Sequence, residues 1–273
     1  MKPSRTCLSL YLALGFILIS TACSSIANPT MEPTREETIT LPTLPAAQND
    51  SLFSFEGVSL LHDPAISSGV SGEVIPFKPL SDGPYWDVNP EFRKIVLSGY
   101  PVLESVHQPV IAIYPADEFR TMSEPSGKEI ELLQTILNEK PSILEKIPVL
   151  PLQNSAQVFR SNIKYIPFQN GSGIRFVGMN SQGIVPVNNS ELFYAFQGLT
   201  ADDRYYISVI MPVNYPTLPA KWDSLPAEER LNMVQNPQYL SDLAANLSTQ
   251  PENSFLPDLA KLDALVQSIV VKQ

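Results

Sequence analysis

The chain has 273 residues, 44% of them hydrophobic, and 28 acidic against 18 basic residues give a net charge of −10. An acidic chain repels polyphosphate and anionic headgroups within a Debye length, which disfavours nucleic acid as a partner. With Cys7 and Cys23 as its two cysteines, it is not a disulfide-framed or thiolate-metal domain.

Lys2 and Arg5 form a cationic head, and residues 8–19 are apolar apart from Ser9 and Gly15. That run of about 12 residues is shorter than the roughly 20 a spanning helix needs. A cleaved signal peptide is therefore expected over residues 1–22. Its end, Ser20-Thr21-Ala22-Cys23, resembles the lipobox of bacterial lipoproteins, in which the cysteine thiol takes diacylglycerol and the freed amine is then often acylated. Ala22 supplies the small residue that lets a peptidase approach the lipidated cysteine. Ser20 departs from the pattern, standing where leucine is usual, with Leu18 and Ile19 just upstream. The resemblance implies lipid attachment, palmitate included, at Cys23, and two or three acyl chains meet the two-signal requirement for stable anchoring. It further implies a domain outside the cytoplasm on the cell membrane or, since Ser24 rather than Asp follows the cysteine, the outer membrane. An ordinary secretory signal and an uncleaved anchor are the alternatives.

Residues 23–50 carry Pro29, Pro33, Pro42 and Pro45 among threonines and glutamates, too little apolar surface to offset the entropy of ordering. A disordered tether is expected, spanning roughly 25 to 30 Å. Residues 51–273 are enough for a single globular domain. Loss of residues 1–22 takes Lys2 and Arg5 with it, so 18 basic residues fall to 16 against 28 acidic ones, a net charge of −12.

Within that domain, residues 52–61, 74–77, 93–98 and 110–114 read as strands. Ser126 to Glu129 fits a Ser-x-x-Glu capping box, opening a helix with Ile130, Leu133 and Leu137 on one stripe and Pro141 as its stop. Extended chain is expected again through 157–168. The densest strand signal lies in 192–197 and 205–211, aromatic and β-branched, separated by a short polar reversal at 199–204. This hairpin is expected at the centre of a sheet. Helices follow at 226–234, 239–247 and 257–270, with Pro257 suited to a first helical position. Strands grouped before helices predict an α+β domain, an antiparallel β-sheet flanked by helices, with the first-half helix pointing to an α/β/α sandwich.

The stretches NGSGIRF (170–176), NNSELFYAFQGLT (188–200) and YYISVIMPV (205–213) resemble a family of uncharacterised bacterial lipoproteins, and the likeness extends loosely from His62 to the closing LDALVQSIVV. The resemblance implies a lipoprotein and carries no activity. The last ten residues of that stretch are also similar to the final element of PsbP-like domains, which are antiparallel sheets flanked by helices. Asp202-Asp203 departs from the Asp-Gly frequent at the hairpin tip in the family.

Candidate chemistry is sparse. His62 and His107 lack any Glu-x-x-His or His-x-His spacing, so structural or surface roles are favoured over zinc. Asn170-Gly171-Ser172-Gly173 reads as a tight turn, because the strand-like residues after it supply no helix dipole for an anion. No Gly-x-Ser-x-Gly elbow is present, and neither a cofactor nor a metal is called for. Polar and aromatic groups gather around the hairpin: Arg175, Glu191, Tyr194, Gln197 and Tyr206, beside Asp202, Asp203 and Tyr205. On an uncovered face, Arg175, Glu191, Tyr194, Gln197 and Tyr206 would line a recognition surface. Under helices, the tyrosines would pack with hydroxyls at the rim, and that reading is preferred. The function expected first is a membrane-anchored, non-catalytic interaction or assembly module with a protein partner in the cell envelope. An extracytoplasmic small-ligand-binding protein and a hydrolase whose site assembles only in three dimensions are the alternatives.

Overall fold

The computed structural model describes residues 50–272; the expected signal peptide, Cys23 and all but the last residue of the tether lie outside the described residues. In chain order the elements are β1 (Ser51–Phe55), β2 (Val58–His62), β3 (Gly69–Ile75), β4 (Phe92–Ser98), β5 (Val110–Pro115), α1 (Ala116–Met122), α2 (Glu124–Glu139), β6 (Ala156–Phe168), β7 (Gly171–Ser181), β8 (Phe193–Thr200), β9 (Tyr205–Pro212), α3 (Ala227–Gln235), α4 (Tyr239–Ser248), α5 (Leu259–Gln267) and β10 (Val270–Val271).

Seven strands form an antiparallel sheet in the order β3-β4-β5-β9-β8-β7-β6. The β8–β9 hairpin is central, as its composition predicts. Every residue of β8 is buried, which explains why Phe193-Tyr194-Ala195-Phe196 shows no polar alternation: both faces are covered. On one face α1 and α2 pack Phe119, Ile130, Leu133 and Ile136 against Phe176, Phe193 and Ala195. On the other, α4, α5 and a small sheet of order β1-β2-β10 pack Leu247, Leu262, Val266 and Leu60 against Val177, Phe196, Ile207 and Val209. The domain is an α+β sandwich with its antiparallel sheet in the middle.

Several boundaries differ from the sequence expectation for local reasons. The first strand breaks into β1 and β2 at Glu56 and Gly57, both at positive φ (43° and 77°), the two-residue reversal that a hairpin's twist favours. Helix α2 starts at Glu124, because Ser123 accepts the N–H of Ser126 at 3.3 Å. Ser126 is thus inside the first turn, and Glu129 pairs with Lys146 instead of closing a capping box. Helix α1, short and directly after β5, carries no long periodic stripe and was not predicted. Helix α5 is capped by Asp258, whose Oδ1 accepts from the Ala260 N–H at 2.8 Å, so Pro257 precedes the helix. The reversal between β6 and β7 uses Gln169 and Asn170, with Phe168 opposite Gly171. Gly171 and Gly173 already belong to β7. A Cβ on Gly173 would lie 2.3 Å from the Phe196 ring, so the glycine makes room for that ring.

Candidate functional site

The residues singled out around the hairpin do not share a surface. Directly opposed residues of paired strands share a face, and successive residues alternate. Arg175 lies opposite Phe196 and so shares the face of Tyr194. Tyr206 lies opposite Leu199, five residues along β8 from Tyr194, and therefore shares the other face with Gln197. Arg175, Tyr194, Gln197 and Tyr206 are all fully buried, so the uncovered recognition face is not formed. The tyrosine hydroxyls also sit inside polar networks and not at a rim.

On the α5 side, Arg175 donates from Nε to Asp263 Oδ1 (3.0 Å), from Nη2 to Asp263 Oδ2 (2.8 Å), and from Nη1 to the carbonyl of Asn162 (2.6 Å). Its Nη2 also meets Glu252. Lys164 donates to Asp263 Oδ2 at 3.0 Å and to Glu252 Oε1 at 3.2 Å, so two cations face two carboxylates. The Tyr194 hydroxyl completes the cluster, donating to Asp263 Oδ1 at 3.1 Å. Burial, and then the neighbouring Asp263 charge, push that phenol well above its ordinary range, so it remains a donor. For Arg175, burial acts against the charge, and the Asp263 hydrogen bonds and field outweigh it. This is a charge-assisted clamp between sheet and helix.

On the α2 side, Gln197 uses both sides of its amide. Its Oε1 accepts from the Tyr206 hydroxyl (2.6 Å) and the Leu150 N–H (3.2 Å), and its Nε2 donates to Ser208 Oγ (3.0 Å). Ser208 in turn donates to the Leu150 carbonyl at 2.5 Å. The network fastens the segment between α2 and β6 over the sheet. Glu191, just before β8, is half-buried and accepts from Asn188 Nδ2 at 2.8 Å. Its carbonyl faces His107 Nε2 at 3.2 Å, while the imidazole stands edge-on to Phe193 at 4.7 Å. At the β8–β9 turn, Asp202 accepts from Thr200 Oγ1 (2.6 Å) and the Arg204 N–H (3.2 Å), a self-contained turn.

Two features elsewhere are open to solvent, and sequence reasoning missed both. First, the chain between β3 and β4 extends the hairpin, with Lys78 and Asn89 paired across it. Phe77 is 57% exposed, Leu80 50% and Tyr85 49%, on a protein whose other large apolar groups mostly fill the core. Tyr85 stands edge-on to Trp86 at 4.9 Å. The Pro-Tyr-Trp-Asp run at 84–87 was the available signal, an aromatic pair set among turn formers. Second, a cavity of about 180 Å3 lies at the corner of β3, β4, β5 and β9, lined by Glu56, Val74, Glu91, Arg93, Ile113 and Tyr205. The Arg93 guanidinium carbon sits 5.0 Å from the centre of the Tyr205 ring, within cation–π range. Its Nη1 is buried without a hydrogen-bond partner among the described residues.

Among the described residues no cluster of three or more His, Cys, Asp or Glu could hold a metal, and no helix is long and apolar enough to cross a membrane. Comparison of the chain with protein-family models, with curated proteins and with solved structures returns no match.

Proposed function

We propose that this protein is a lipid-tethered extracytoplasmic module that docks a protein partner of the cell envelope through the hairpin between β3 and β4. The observation that carries the reading is the set of exposed side chains Phe77, Leu80 and Tyr85 in the one connection between β3 and β4. Grouped exposed aromatics mark interaction sites more often than scattered ones do, and Tyr is enriched at the anchoring points of interfaces. The Arg175–Asp263 and Gln197–Tyr206 networks, by contrast, spend their polar groups on internal fastening. The anchor rests on the residue pattern through Cys23, and a tether of the expected span would let the hairpin reach past the headgroups.

Affinity purification of the full chain from detergent-solubilised membranes of its own cells tests the reading. Wild type should retain a stoichiometric protein that the Phe77→Ser/Tyr85→Ser variant loses, with the unfolding midpoint unchanged. Retention of the same protein by the variant, or loss of vesicle binding in place of protein binding, would count against it. Intact mass of the mature chain should show acyl addition at Cys23.

A further inference from the structure

The corner cavity presents charges of both signs around an apolar floor. We infer that it is a binding site for a small zwitterion, one carboxylate and one ammonium on a short apolar body, of which an aliphatic α-amino acid is the simplest member. Arg93 projects from β4 opposite Val74 of β3 and Ile113 of β5, so its backbone is held inside the sheet. The Tyr205 ring fixes the guanidinium from one side. The guanidinium of Arg93 lines the cavity, and the partner that matches its planar fork is a carboxylate. Phosphate fits poorly, because Glu56 and Glu91 line the same cavity and repel a dianion. Those two carboxylates accept from an ammonium instead. Glu56 is set at the cavity by the β1–β2 turn, and Val74 and Ile113 supply the contact for an aliphatic side chain. Size limits the ligand as well. About 180 Å3 lies below the roughly 300–1,000 Å3 of sites for drug-sized ligands, which suits a ligand as small as an amino acid. The cavity shares Val74 and Glu91 with the β3–β4 hairpin, but amino-acid binding needs no protein partner, so either reading can fail alone.

Calorimetric titration of the full chain with L-alanine, L-valine and L-leucine tests the assignment, with 4-methylpentanoate and isopentylamine as probes carrying one charge each. At least one of the three amino acids should bind saturably, and each single-charge probe should bind at least about tenfold more weakly. Arg93→Gln should weaken amino-acid binding by a similar factor with its circular dichroism unchanged. Should that variant not fold, the surface variant Glu56→Gln/Glu91→Gln reads the ammonium half of the site in the same way. No saturable heat with any of the three, affinity unaltered by these substitutions, or equal affinity for 4-methylpentanoate would overturn the proposal.

Discussion

Arg175 of β7 and Asp263 of α5 meet through two parallel hydrogen bonds of 3.0 and 2.8 Å, with both side chains buried. The pair ties the C-terminal helix to the sheet across 88 residues of sequence. Asp263→Ala leaves the guanidinium buried with its main counter-charge gone, so a loss of about 3–5 kcal/mol is expected. Replacing both partners by apolar residues of similar volume, Arg175→Met with Asp263→Leu, should cost clearly less than the single change. Urea unfolding of the three chains gives the comparison, and a double variant destabilised as much as Asp263→Ala or more would contradict it.

Lys164 touches the same carboxylates but its side chain is 48% exposed. Exposed pairs contribute little after screening and side-chain ordering, so Lys164→Ala should lower stability by no more than about 1 kcal/mol. The same unfolding series measures it, and a loss equal to that of Asp263→Ala would make Lys164 an equal member of the clamp.

His107 gives a pH signature. Burial lowers the imidazole pKa from its ordinary 6.5, and the Glu191 carbonyl offsets this only in part. The folded chain then binds the proton less readily than the unfolded chain does. Stability should be level above pH 6.5 for this group, should fall as pH drops from 6.5 to the lowered folded value, and should level off below it. His107→Gln should remove that decline, seen as a difference between the two chains' unfolding free energies at pH 8 and near pH 5.5. Parallel pH profiles would contradict the assignment.

Asn162 holds the irregular point of β6. Its φ of 51° lies in the left-handed region, its Nδ2 donates to the Leu247 carbonyl at 3.0 Å, and its N–H donates to Ser248 Oγ at 3.1 Å. Asn162→Gly keeps the backbone and should cost about 1 kcal/mol for the lost side-chain hydrogen bond. Asn162→Val adds the strain of a β-branched residue at positive φ, a further 1–3 kcal/mol or so. Thermal unfolding should therefore rank wild type above Gly above Val, and Val at or above Gly would exclude the strain.

Much of the architecture was legible in the residues. Aromatic and β-branched runs at 192–197 and 205–211 identified the central hairpin because a strand covered on both faces needs no polar alternation. The stripe of Ile130 and Leu133 identified α2, although its start depended on Ser123, two residues ahead of Pro125 in the first turn. The polar groups near the hairpin were legible as a set and illegible as an arrangement. Tyr194 and Tyr206 look like neighbours in the sequence of a hairpin, yet the register sets Tyr206 opposite Leu199, an odd offset of five positions from Tyr194, which puts the two tyrosines on opposite faces.

Sequence by itself determined the type of most elements, because hydrophobic period and local capping act over a few residues, though it missed α1 and carried the last helix into Val270 of β10; it also determined the motif ending at Cys23. Only the tertiary structure decided which side chains meet. Pairing register assigns each strand residue to one of two faces, and contacts such as Arg175 with Asp263, or Arg93 with Tyr205, join segments that no local preference brings together.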